Sequence, residues 1–115
     1  MIVYKIFLEA DFKSLKKYGV SAGSKLDQKD GFIHLSTANQ LEKTLQVHFA
    51  SVSTVCLLKL KINSMKKLKW ETSRNKELFP HLYGKIYTHY INSQVFLNKL
   101  NDEFQIPASF LKTHE

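Results

Sequence analysis

A single cysteine, Cys56, is all the thiol chemistry in these 115 residues, so no internal disulfide can form and a reducing compartment suits the chain. Its setting, Val55-Cys56-Leu57-Leu58 in an expected strand, reads as a buried, inert thiol and not as a nucleophile. No apolar run approaches the length of a membrane span, because Lys59 ends that same run. Lys5 and Glu9 interrupt the only N-terminal apolar stretch, which reads against a secretory leader. There are no repeats, linkers or low-complexity tracts. No close-spaced ligand pair of the H-x-x-x-H kind occurs, so no metal is expected. Arginine is nearly missing: Arg74 is the only one among 17 cations. These absences leave a soluble, cytoplasmic single domain over residues 1–115, long enough for one core.

What is present is globular in composition, 43% hydrophobic and 23% charged. The net charge of +7 raises nucleic acid as a partner, yet the lysines are spread along the whole chain. Alternation in Leu58-Lys59-Leu60-Lys61-Ile62 and in Leu68-Lys69-Trp70 predicts solvated strand faces and not a dedicated groove. The same field steers a small anionic or phosphorylated ligand, so charge alone does not separate the two.

The coarse pattern is α+β. Ile2 to Phe7 reads as a strand. A helix follows from about Ala10 to Tyr18, with Phe12 and Leu15 on one face and Gly19 as its stop. Ser21 to Asp30 reads as a polar loop and a mobile rim. Gly31 opens a short strand holding His34. Thr37 and Gln40 then form a capping-box pair for a second helix to about Ala50, with Leu41, Leu45, His48 and Phe49 on its buried side. Strands are expected at about Ser53–Ile62 and Leu68–Thr72, the latter burying Trp70, and as one long or two short strands over Ile86–Asn98. Asn101-Asp102 reads as a turn leading into an edge segment that ends near Phe110.

Two segments carry the chemistry. In Gly31-Phe32-Ile33-His34-Leu35-Ser36-Thr37, strand alternation puts Phe32, His34 and Ser36 on one face, immediately before a helix start. The competing expectation is a core histidine with Ser36 and Thr37 acting only as caps. The second segment runs from Ser73-Arg74 to Phe79-Pro80-His81-Leu82-Tyr83-Gly84, in the loop after the Leu68–Thr72 strand. Pro80 makes Phe79 extended, so Phe79, His81 and Tyr83 should project to one side, where an imidazole between two rings can stack a planar ligand. Arg74 offers a planar fork for a carboxylate or phosphate, or else pairs with Glu71 or Glu77. Glu71 is either a solvated neighbour of the lysines or a site carboxylate. His89 and His114 belong to no constellation.

These residues, with Tyr4-Lys5-Ile6, Asp30, Trp70-Glu71 and Leu78, resemble the domain of unknown function 952 family over nearly the whole chain. The resemblance implies a small ADP-ribosylation-like α+β fold, mostly antiparallel, with two helices in the N-terminal half. By that resemblance His34 with Ser36 or Thr37 contacts the ribose of NAD, as substrate or ligand, and Tyr83 stacks the nicotinamide. The late glutamate of the transferases has no match, since Glu103 falls in a turn and Glu71 comes too early. His34 and His81 are then the catalytic candidates, and Ser36, Thr37, Glu71, Arg74 and Tyr83 the binding candidates. Two other functions compete with an enzyme of ADP-ribosyltransferase-like or glycosidic-bond chemistry: an RNA- or polyanion-binding module using the lysine surface, and a protein-interaction domain with structural histidines.

Overall fold

The computed structural model describes residues 1–63 and 66–112, with the side chain of Arg74 outside the description. His114 also lies outside the described residues. The chain runs β1 (Ile2–Phe7), α1 (Glu9–Tyr18), β2 (Val20–Ser21), α2 (Lys25–Asp30), β3 (Ile33–His34), α3 (Leu41–His48), β4 (Thr54–Lys61), β5 (Leu68–Thr72), β6 (Leu78–Leu82), β7 (Ile86–Tyr87) and β8 (Ile91–Asn98). It is an α+β arrangement in which every named strand pairing is antiparallel.

The centre is β4, flanked by β1 and β8. Its residues Val55 to Leu60 are all buried because both faces of the sheet are covered, which explains an apolar run where a half-buried strand would alternate. On one face Val3, Cys56 and Leu58 pack with Phe12 and Leu15 of α1. On the other, Tyr4 and Leu57 pack with Leu41 and Leu45 of α3 and with Phe110. The expected solvated face at Leu58 to Ile62 therefore needs correction at Lys59. It is buried, donates from Nζ to the Lys112 carbonyl at 2.8 Å, and lies 5.1 Å from the Phe110 ring centre. Lys61 stays exposed.

Burial pushes the Cys56 thiol up to about 12. A thiol reagent at neutral pH is accordingly expected to react only as fast as the protein unfolds. Labelling of the folded protein at the rate of a free thiol would contradict this burial.

A second sheet has the order β3-β6-β5. It is joined to the first where Tyr4 and Ser36 exchange backbone bonds, Tyr4 N–H to Ser36 O at 2.8 Å and Ser36 N–H to Tyr4 O at 2.9 Å. The segment carrying Phe79 to Leu82 is thus a strand in the middle of this sheet and not a loop. Pro80 is tolerated there because its carbonyl still accepts from Leu35 N–H at 3.1 Å, one residue past the end of β3.

Other expectations change for local reasons. Ser21–Asp30 is not a loop throughout: α2 gives the N-terminal half a third helix, opened by a Ser24/Asp27 capping box and closed by Gly31 at φ 84°. Trp70 is exposed, since β5 is a sheet edge on which only Leu68 is buried. His48 is exposed at the end of α3, while Leu41 and Leu45 take the buried face. The segment after Asn98 forms the expected turn at Asn101-Asp102, closed by Leu100 and Glu103, and its end near Phe110 is a 3-10 turn at Ala108–Leu111. Ile86–Asn98 resolves into two strands, β7 and β8. Among the described residues, no helix is long and apolar enough to cross a membrane.

Candidate functional site

The pairing of β3 with β6 sets His34 directly opposite His81, and Ile33 opposite Leu82. Cross-strand partners point to the same side, so both imidazoles leave the sheet together while Ile33 and Leu82 enter the core. The ring centroids are 5.7 Å apart. Phe32 covers the pair: its ring stacks on His81 at 4.1 Å and 23°, tilts against His34 at 4.6 Å, and meets Tyr83 at 5.3 Å.

His34 sits in a bracket built by α2. The capping box that starts this helix turns Asp27 inward, with Ser24 N–H donating to Asp27 Oδ2 at 2.8 Å. Asp27 then accepts the Lys5 ammonium on Oδ2 at 2.7 Å, and both the backbone N–H and the ring Nδ1 of His34 on Oδ1, at 3.0 and 2.6 Å. Lys5 also donates to the His34 carbonyl at 3.0 Å. Burial alone pushes Asp27 up, but the His34 hydrogen bond and the Lys5 ammonium outweigh it and hold the carboxyl well below the usual carboxylate range. Burial lowers Lys5 despite the same aspartate. The far ring nitrogen of His34, Nε2, faces Asp30 Oδ2 at 3.0 Å. Both ring nitrogens of His34 thus face a carboxylate oxygen.

His81 is braced differently. Its Nδ1 meets Glu71 Oε1 at 2.8 Å, and the same oxygen accepts the Tyr83 hydroxyl at 2.7 Å. The bonds from Tyr83 and His81 hold the Glu71 carboxyl below its ordinary range, and Glu71 in turn raises the Tyr83 phenol. A carboxylate only accepts, so Nδ1 of His81 is the donor to Glu71. His81 is buried and Glu71 is partly exposed, which makes Glu71 the solvent end of the pair.

Both histidines line a cleft of about 750 Å³ between the α1 and α2 segments and the β3–β6 wall. Its walls are largely aliphatic and aromatic (Leu8, Leu26, Leu35, Phe49, Phe79), with Lys5, Asp11, Asp27, Asp30, Ser36 and His48 as polar groups. The expected site residues divide accordingly. His34, His81 and Ser36 line the cleft; Glu71 and Tyr83 do not, Glu71 being bonded to the cleft-lining His81 and Tyr83 to Glu71. Thr37 is a cap, its N–H bonded to Gln40 Oε1 at 3.0 Å. Ser73 lines the cleft beside Arg74, whose side chain is outside the description. Glu103 lines a separate pocket with Glu42 and Lys99. Sequence reasoning missed Lys5, Asp27 and Asp30. The available signal was the pattern Ser24-x-x-Asp27 followed by Gly31, a short capped helix ending just before the histidine strand. Among the described residues, no group of histidine, cysteine and carboxylate side chains is placed to hold a metal ion.

Comparison with known proteins agrees with this geometry at the level of the whole chain. The crystal structure of protein CC0527 from Caulobacter crescentus is similar to it with a TM-score of 0.87 at 31% identity, covering 96% of this chain and 98% of that one. The solution structure of the same protein gives 0.79 at 33% identity, covering 90% of each. No curated protein matches the chain. A family profile described as "Protein of unknown function (DUF952)" matches residues 6–94, a span holding Asp27, Asp30, His34, Glu71 and His81, and the chain belongs to that family.

Proposed function

We propose that the cleft binds a small phosphorylated nucleotide, with NAD as the leading ligand, and that His81 serves there as general acid or base. The observation that carries this reading is the cross-strand pairing of two carboxylate-braced histidines beneath one aromatic ring, on the wall of a single cleft. A cleft of about 750 Å³ that sets hydroxyl, imidazole and charged groups among apolar walls suits a nucleotide-sized molecule. Phe49 and Phe79 supply aromatic faces in the cleft for a nicotinamide or adenine ring, while Tyr83 lies outside its lining, against Phe32. His34 and Ser36 are the ribose contacts in this reading, and Arg74, next to the cleft-lining Ser73, is its phosphate contact. The reading extends to an ADP-ribosyltransferase-like fold and a cytoplasmic setting. It carries glycosidic-bond chemistry only as far as proton transfer by His81, because Glu71 is engaged by His81 and Tyr83 and Glu103 faces another pocket.

One observation favours a second reading, a binding domain with structural histidines: both ring nitrogens of His34 are already engaged. Thermal unfolding with NAD, ADP-ribose or a nucleotide 2′-phosphate at millimolar levels separates the two. Under the nucleotide reading at least one ligand raises Tm by mass action, and His34→Ala and His81→Ala abolish the rise. No rise with any of the three, together with a loss of stability in both variants, would overturn it in favour of structural histidines.

A further inference from the structure

We infer that a second surface, formed by the end of α1 and the β7–β8 connection, binds single-stranded nucleic acid through stacked aromatic rings. β2 pairs with β7, Val20 opposite Tyr87, and Thr88 N–H donates to the Gly19 carbonyl at 3.1 Å. These bonds bring Lys17 and Tyr18 beside the segment Lys85 to Tyr90. Tyr87 and His89 lie nearly parallel, 5.6 Å and 19° apart, and Tyr90 stands edge-on to both at 5.6 and 4.8 Å. Tyr90 also packs against the core, which anchors the cluster. Tyr18 is 67% exposed, with the Lys17 ammonium 5.3 Å from its ring centre.

Charge and aromatic placement agree on the ligand. Asp and Glu are absent from Phe12 to Leu26 and from Leu78 to Asn101, whereas Lys16, Lys17 and Lys85 are all exposed. Exposed rings set among lysines, on two segments that contain no carboxylate, fit a strand whose bases stack and whose phosphates are neutralised, without regard to base identity. The lysine-only surface of a merely soluble protein needs no such rings. The surface is also separate from the cleft: Asp11 at the start of α1 lines the cleft, and Tyr18 lies about 10 Å further along the helix axis.

The test is fluorescence anisotropy of a labelled oligo(U) of roughly twelve nucleotides titrated with the full chain, with oligo(dT) as a parallel arm. Binding should weaken steeply between about 50 and 200 mM salt, and Lys16→Ala/Lys17→Ala should flatten that dependence. Tyr18→Ala and Tyr87→Ala together should weaken binding about tenfold or more at either salt. Trp70→Ala, which removes another exposed aromatic ring on β5, should change nothing. Equal affinity for both oligomers assigns single strands in general, and preference for oligo(U) assigns RNA; either supports the surface. No binding at the lower salt, or a tyrosine double variant that binds like wild type, overturns it. So does an equal loss in Trp70→Ala. Because Tyr18 is so exposed, Tyr18→Ala alone keeps the test open should the double variant unfold.

Discussion

Asp27→Ala is expected to cost about 3–5 kcal/mol, the range for removing one partner of a buried ion pair. A domain of this size has about 5–15 kcal/mol in total, so the variant should stand close to unfolding. The reason is the number of groups that one 2%-exposed side chain satisfies: the Lys5 ammonium, the His34 ring and backbone, and the first turn of α2. Without it Lys5 remains a buried charge that has lost its ion-pair partner and keeps the His34 carbonyl. Adding Lys5→Met to Asp27→Ala should therefore restore part of the loss, since it removes the stranded cation. Urea denaturation reads both effects, and a loss below about 1 kcal/mol for the single variant would refute the hub role.

The same residue sets an acid limit. Asp27 is depressed in the fold and ordinary, about 3.9, in the unfolded chain. The unfolded state therefore takes up its proton first as pH falls. The stability Asp27 contributes is complete well above pH 4 and drains away progressively below it. The urea midpoint of the wild type should fall between about pH 5 and pH 3, and Asp27→Ala should show a flatter dependence over that interval.

Gly23→Ala should be the other large loss, and Gly19→Ala its control. Both glycines have positive φ, +94° and +76°. A methyl at Gly19 meets nothing within 4 Å, so only the left-handed strain of about 1–2 kcal/mol applies. A methyl at Gly23 would stand 2.4 Å from Asp27 Oδ2 and 2.6 Å from Asp27 Cβ. It must displace the carboxylate that holds Lys5 and His34, so its loss should exceed that of Gly19→Ala by about 2 kcal/mol or more. Equal losses in the two variants, measured by the same denaturation, would show that the close approach at Gly23 does not matter.

Legibility in the sequence followed burial. α1 was readable because Phe12 and Leu15 recur with the helical period, and β1 and β4 because each is a short apolar run of strand length. His34, His81 and Tyr83 were readable as partners because they stand on extended segments with fixed alternation. α2 was not: it has six residues, and its only buried side chain is a carboxylate, which periodicity counts as polar. Lys5 and Lys59 failed for the same reason, each a charged residue whose partner lies far along the chain, at Asp27 and Lys112. Trp70 failed in the opposite sense. A large apolar ring suggests a core, but only the position of β5 at a sheet edge reveals that nothing lies over it.

The alternation Ile33-His34 opposite Leu82-His81 has a consequence for chain length. Inserting or deleting one residue between Gly31 and His34, or between Phe79 and His81, exchanges an aliphatic side chain for an imidazole on each face. That single step would put a histidine into the core and an isoleucine or leucine onto the cleft wall. These few positions therefore tolerate a change of residue type far better than a change of count. Variation in length belongs in the connections between elements, where no strand alternation sets which way a side chain faces.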